Sequence, residues 1–497
     1  MFKAIFISSI ILNIGLLLGR LSGFIRQAFV ATAYGDSGEA DTVIFMLTVP
    51  DLLVNILMGG ALGAVLIPAF AKKPGQAKQM LYQSTVIFGA IALALAGIFF
   101  WQSDQLVMLL APGFEGKQLE DASAAFGYVA LLIPLTVMAG GTTAFLQYKN
   151  KFAIPSLGTL IVNASIIVGL YIVYTGKGTI VILAGFVILG GLLRLLSQVI
   201  ASKPTWNLIS SMKPALLDCE FFVHYGRAML TGSILILFPV VAKAIGSLSG
   251  EGAYATMDYA LKLIQFPLVI AITFVVTVYF PRLSTAHEDN KEQFSVLLLQ
   301  GAQVIVALSV VASISLYFVS GKYASLVYLH GNMEETSVTN IGSITAIGLL
   351  SLPFQGLVAL LMTSKFAQKN TTTPLVINTA GLGCFYVLAV SDLFGEGLAP
   401  LMWALVVSYG VIGILYLGFF QYNRKPLVFL LFNPSYVASL SVTAVFLVFA
   451  GTTIQQVGFT STVAVSLALV SALFALILMV FLYPKTRKPL LARLRSK

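Results

Sequence analysis

Charged side chains are scarce in this chain. Lys, Arg, Asp and Glu make up 10% of its 497 residues, against roughly 25% in an average soluble domain, and that scarcity excludes an ordinary soluble protein. Cysteine is scarcer still: Cys219 and Cys384 stand alone, which excludes a disulfide framework and a thiolate metal site. The three histidines, His224, His287 and His330, are scattered, so neither a metal cluster nor a Ser/His/Asp constellation emerges, and no catalytic residue or metal ligand is assigned. A G-x-x-x-x-G-K-[ST] phosphate loop is missing, because TGKGT at 175–179 lacks the leading glycine at the required spacing. No cofactor is expected, and an energy input is expected from a monovalent ion gradient, the membrane potential or substrate flux. The period-two alternation of a membrane barrel is absent as well.

What is present is apolar: 58% of the residues are hydrophobic and the mean hydropathy is +0.94. A helix needs about 20 predominantly apolar residues to cross the hydrocarbon core. Fourteen candidate spans lie near 5–33, 42–70, 80–100, 122–148, 153–174, 178–201, 220–246, 254–282, 294–319, 337–364, 374–391, 398–420, 431–451 and 459–484. The expected class is an all-α integral membrane protein. Its first span reads as an uncleaved helix, because the apolar pattern resumes past Arg20 with no small-residue cleavage site.

Basic residues orient the bundle, since short cytoplasmic loops carry an excess of Lys and Arg. With the N-terminus inside, twenty of the 29 basic residues fall in cytoplasmic segments, Lys117, Lys177 and Lys322 fall outside, and six lie within spans. Both termini are therefore expected in the cytoplasm. The net charge of +10 is read as attraction to anionic phospholipids, with the tail PKTRKPLLARLRSK as a membrane-surface anchor. Nucleic acid is not an expected partner, because the basic residues lack a binding module and aromatic interleaving.

The second and eighth candidate spans resemble each other. Asp41 precedes Pro50 by nine residues and the span ends at Pro68; Asp258 precedes Pro267 by nine and that span ends at Pro281. An internal repeat with copies six spans apart explains the match. Such parallel repeats place a substrate near the midplane between two lobes. The expected organisation is a six-helix lobe over 1–213, a second over 214–425, and an accessory helix pair with a basic tail over 426–497. Between Pro426 and Pro484 there is no Lys, Arg, Asp or Glu, so that pair is read as facing lipid or as a groove for a lipid tail.

The segment GRLSGFIRQAFVATAYGDSGEADTVIFMLTVPDLLVNILMGGALGAVLIPAF, residues 19–70, resembles the MviN/MurJ family of lipid-linked peptidoglycan precursor flippases, and YALKLIQFP at 259–267 continues the resemblance. The resemblance implies a substrate carrying a polyprenyl diphosphate and a glycan, cell-wall synthesis proteins as partners, and a place in the bacterial cytoplasmic membrane. By motif, Arg20 and Arg26 match the family's first-helix arginines, Asp41 matches its acidic residue at the start of the second helix, and Lys262 stands where the family usually has arginine. Val54 and Asn55 replace a frequent arginine pair after the second-helix proline, and Gln27 replaces a frequent acid.

Six cations, Arg20, Arg26, Arg194, Arg227, Lys243 and Lys262, and three acids, Asp41, Asp51 and Asp258, lie within candidate spans. Intramembrane charges are costly and mark functional sites. Arg20, Arg26 and Lys262 are the candidate diphosphate donors, with Asn55 as a polar contact. Asp41, Asp51 and Asp258 are the candidate ion-pair or conformational residues, Asp41 either pairing with Arg26 or another cation or serving the helix dipole. Arg20 and Arg26 are about 240° apart on an ideal helix. Gly15, Gly19 and Gly23 recur every four residues, a spacing that permits either close helix packing or a bend that would bring both arginines together. The cationic balance favours an anionic lipid-linked substrate moved by alternating access. A flippase for another polyprenyl-diphosphate glycan, such as an O-antigen or exopolysaccharide precursor, is the alternative. A cation-coupled drug exporter, which needs an acidic cavity, fits less well.

Overall fold

The computed structural model describes residues 2–58, 61–176, 179–203, 217, 219–269, 274–289, 291–391, 393–422 and 425–484. The basic tail beyond 484 lies outside the described residues.

One order of helices occurs twice. The first copy has α1 (Phe2–Tyr34), the interrupted pair α2 (Gly38–Met58) and α3 (Ala61–Lys72), then α4 (Ala77–Trp101) with the short α5 (Ser103–Leu110) behind it. It continues with a second interrupted pair, α6 (Gly116–Val129) and α7 (Leu132–Tyr148), and ends on α8 (Ala153–Tyr174) and α9 (Ile180–Ser202). The second copy runs α10 (Cys219–Gly246), α11 (Ala253–Pro267) and α12 (Phe274–Asp289), α13 (Lys291–Tyr317) and the short α14 (Ser320–Tyr328). The pair α15 (Glu335–Leu349) and α16 (Leu352–Ala367) follows, then α17 (Thr372–Val390) and α18 (Leu398–Gly418). The chain closes with α19 (Leu427–Leu431), α20 (Pro434–Val457) and α21 (Ser461–Leu482). Gln421–Tyr422 and Lys425–Pro426 form a two-residue antiparallel ladder, β1 and β2.

The interruptions follow from the sequence. Pro134 and Pro353 lie in the first turns of α7 and α16, where a residue without an N–H forfeits little. The pair α15 and α16 is bent by 48°. Among the described residues ten helical stretches are long and apolar enough to cross a membrane, or eleven if that bent pair is one span. The sequence reading of fourteen is larger by three, because it also counts α1, the pair α2 with α3 and the pair α11 with α12 as spans.

The chain forms two compact units, Met1–Ala255 with His330–Met333, and Thr256–Leu329 with Glu334–Lys497. In the first, α1 packs on α8, α8 on α9, and α7 on α3, α4 and α9. Helix α10 packs on α2 and α3, so this unit extends beyond residue 213. Its core includes Leu66, Phe70, Leu81, Phe88, Ile133 and Phe145. In the second unit α13 is central, contacting α12, α16, α20 and α21. The terminal pair is fixed there by Tyr436, whose hydroxyl donates to the Gln303 carbonyl at 2.6 Å, and by Gly451, where an added Cβ would lie 2.6 Å from Phe318. Large apolar side chains remain on its outer surface, Val445 at 69% and Phe449 at 71% exposure, as lipid-facing helices require.

Candidate functional site

The glycine stripe of α1 is a packing seam. A Cβ on Gly15 would lie 2.2 Å from Ser156 Oγ, one on Gly19 3.1 Å from Thr159 Cβ, and one on Gly23 3.5 Å from Asn163 Nδ2. Small residues let two backbones approach closely, and α1 continues as one helix through the stripe. Of the two alternatives read from the spacing, close packing is the one found, and no break joins the two arginines. Arg26 is buried against α8 at 8% exposure, whereas Arg20 is exposed.

Arg26 is held by a chain of polar groups. Its Nη1 donates to Asn163 Oδ1 at 3.1 Å, and Asn163 Nδ2 donates to Ser22 Oγ at 2.9 Å and to the Gly19 carbonyl at 3.2 Å. The Ser22 hydroxyl donates to the same carbonyl at 2.8 Å. Arg26 Nη2 lies 3.7 Å from Asp51 Oδ2, and the Asp51 side chain is 51% exposed. Arg26 Nε is buried without a partner.

Arg194 crosses α8 at Gly158, where an added Cβ would meet Arg194 Nε at 2.9 Å and Gln198 Nε2 at 3.2 Å. Both nitrogens are buried without hydrogen-bond partners. Thr142 donates to the Ala139 carbonyl at 2.8 Å while lying 2.9 Å from Gln198 Oε1. The Thr143 hydroxyl donates to the same Gln198 Oε1 at 3.0 Å.

Asp41 pairs with neither Arg26 nor another described cation. It is 1% exposed. Its Oδ1 accepts the Ala255 N–H at 2.7 Å, and its Oδ2 accepts the Gly252 N–H at 2.7 Å and Gln118 Nε2 at 3.0 Å. The first N–H groups of α11 have no intrahelical acceptors, and a carboxylate there also meets the positive end of the helix dipole. Those donors satisfy Asp41 more completely than one distant guanidinium would. Glu251 returns the favour: its Oε1 accepts the N–H of Gly38, the first residue of α2, at 3.1 Å. Gly252 is needed at this crossing because its φ is +80° and a Cβ would lie 1.7 Å from the Asp36 carbonyl oxygen.

Lys243 is also committed, donating to Thr48 Oγ1 at 2.7 Å and lying 5.2 Å from the Tyr254 ring centroid. By contrast, among the described residues Arg20, Arg227 and Lys262 have no hydrogen-bond or ion-pair partner. Lys262 is half-buried on α11 in the second unit, and Asp258 is buried there at 3% exposure. The Asn55 side chain lies outside the described residues. No group of His, Cys, Asp and Glu that could hold a metal occurs among the described residues.

The sequence singled out Arg26, Asp41 and Lys243, but it did not identify Asn163, Gln118 and Thr48 as their respective partners. Gln198 carried a usable signal, since it lies four residues after Arg194 on one helix face; Gln118, in the first turn of α6, carried none.

The chain is similar to known proteins over most of its length. A relative in Aquifex aeolicus described as a probable lipid II flippase MurJ is 24% identical over 431 residues, 83% of each chain. The lipid II flippase MurJ of Burkholderia cenocepacia is 26% identical, covering 80% of this chain and 79% of its own. A solved lipid II flippase MurJ in an inward closed conformation superposes with a TM-score of 0.78 at 19% identity, covering 94% of this chain and 98% of the other. An inward-facing multidrug resistance MATE transporter of the MOP superfamily gives 0.66 at 16% identity over 82% of this chain and 96% of its own, a likeness of fold. The family model described as lipid II flippase MurJ matches residues 30–473, and the chain is a multi-pass membrane protein that belongs to this family of transporters.

Proposed function

We propose that this protein moves a lipid-linked peptidoglycan precursor, lipid II, from the inner to the outer leaflet of the bacterial cytoplasmic membrane by alternating access, with both termini in the cytoplasm. The observation that carries the reading is the family match over residues 30–473 joined to cations that protein acceptors leave unsatisfied. Arg20 and Lys262 have no partner among the described residues, and the Nε atoms of Arg26 and Arg194 are buried without one. A diphosphate supplies acceptors for such groups, and arginine presents a planar fork matched to phosphate oxygens. A cation-coupled drug exporter calls for the opposite charge.

Arg26 serves in this reading as a positioned charge, held by Asn163, while Arg20 and Lys262 are the freer phosphate donors. Asp41 and Glu251 hold the starts of α11 and α2 in one conformation. Coupling to a monovalent ion gradient or to the membrane potential belongs to the same proposal, as do anionic phospholipids and cell-wall synthesis proteins as partners.

Depletion of the protein in its host, followed by measurement of lipid-linked precursors in the inner leaflet, tests the substrate. Accumulation of the peptidoglycan precursor is expected. Accumulation of an O-antigen or exopolysaccharide precursor instead would select the alternative glycan, to which the departures at Gln27, Val54 and Asn55 lend some weight.

A further inference from the structure

The second unit contains a cavity of about 280 Å³ whose lining includes His287, Ser295, Lys365, Gln368, Phe419 and Phe420. It lies where the end of α12, the start of α13, the end of α16 and the segment after α18 converge. None of these residues is used in the transport reading. We propose that this cavity binds a phosphate group, carried by an anionic lipid headgroup or arriving as free phosphate, with Lys365 as its charged anchor.

The argument begins with Lys365. It is 7% exposed, and its Nζ stands 4.2 Å from the Phe420 ring centroid and 5.6 Å from that of Phe419. Among the described residues no carboxylate or hydrogen-bond acceptor reaches the ammonium. Withdrawing an ammonium even partly from water is unfavourable unless it is paired and hydrogen-bonded, and an aromatic face offsets only part of that cost. An ammonium has three N–H donors and accepts nothing, so the group that completes the site is an anion rich in oxygen.

The rest of the lining fits a phosphate. The Gln368 amide has no hydrogen-bond partner among the described residues, and the His287 ring, 5.5 Å from that of Phe294, has none either. Glu288 does not compete for Lys365: it pairs with Lys369 at 3.1 Å, and both side chains are exposed. The cavity exceeds several-fold the roughly 30 Å³ that a water molecule occupies in the liquid, which leaves room for a phosphate with attached carbon. Leu298, Phe294 and Leu427 complete its apolar side, and the basic loops at this end of the helices are those the sequence assigns to the cytoplasmic surface, where anionic headgroups are concentrated.

Native mass spectrometry of the purified full chain, titrated with phosphatidylglycerol, phosphatidylcholine and inorganic phosphate, tests the proposal. The expected result is one preferred anionic adduct, weakened about tenfold or more in Lys365→Met and retained in Lys365→Arg, because a charge-assisted hydrogen bond is lost in the first and kept in the second. Gln368→Leu, at a half-buried position, should weaken it to a lesser degree and provides a second test if Lys365→Met does not fold. Displacement of the phosphatidylglycerol adduct by inorganic phosphate assigns free phosphate as a ligand of the site; resistance to displacement assigns the lipid. Equal retention of phosphatidylglycerol and phosphatidylcholine by the unaltered protein, or an anionic preference unchanged in folded Lys365→Met or in Gln368→Leu, would overturn it. Lipid-precursor transport is not the readout, so failure here leaves the flippase reading standing.

Discussion

Asp41 Oδ1 accepts the backbone N–H of Ala255 at 2.7 Å, placing a carboxylate from α2 on the opening turn of α11. Replacing Asp41 with asparagine removes the charge and turns an NH2 toward donors that Asp41 now accepts. Hydrogen bonds to a charged group are worth roughly 1.5–3 kcal/mol each. Asp41→Asn should therefore lower the unfolding temperature of the purified protein and abolish complementation. Glu251→Gln should do far less, because Glu251 is exposed and its amide oxygen can still accept from Gly38. Equal effects of the two substitutions would remove the special weight given to Asp41.

Arg26 and Asn163 should behave as a coupled pair. Asn163→Leu leaves a buried guanidinium N–H unpaired, which costs about 1–3 kcal/mol, while Arg26→Ala removes the donor itself. A double-mutant cycle read by unfolding free energy should give a coupling of about 0.5–3 kcal/mol. Additive losses would mean that the 3.1 Å contact contributes nothing measurable. Arg26→Lys should lose most of its complementation, since one ammonium cannot reach both Asn163 and Asp51 as two guanidinium nitrogens do.

Arg20 and Lys262 should separate transport from stability. Neither has a described protein partner, so Arg20→Ala and Lys262→Ala are expected to abolish complementation with membrane abundance near normal. Lys262→Arg should retain substantial activity because it preserves the charge. Full activity of both alanine variants at normal expression would exclude them from the substrate site.

The α1 seam makes a steric prediction. Gly15→Leu should drastically reduce membrane abundance, because even a Cβ there lies 2.2 Å from Ser156 Oγ. Gly23→Ala should be tolerated, its Cβ meeting Asn163 Nδ2 at an ordinary 3.5 Å. Comparable abundance of both variants, measured by immunoblot of membranes, would contradict the packing role.

Much of this arrangement was legible in the sequence because bilayer physics leaves few solutions. Long apolar runs must be helical, and the Asp41 and Asp258 spacings to their prolines pointed to the recurring order now seen from α1 to α9 and α10 to α18. The partners of the charges were not legible. Asp41 meets Gly252 and Ala255 across more than two hundred residues of chain, and no local periodicity encodes such a contact. Nor could spacing decide whether Gly15, Gly19 and Gly23 make a bend or a seam, since both use small residues four apart; the position of Ser156 and Thr159 on α8 decides it.

The central claim is that this chain translocates a lipid-linked peptidoglycan precursor through recognition of its diphosphate. Purified protein in sealed proteoliposomes containing fluorescent lipid II, with an impermeant quencher outside and imposed ion gradients, measures that movement directly. The account predicts protein-dependent transfer between leaflets that is lost with Arg20→Ala or Lys262→Ala. Transfer no faster than in protein-free liposomes under every imposed gradient, or transfer equally fast in both variants, would contradict it.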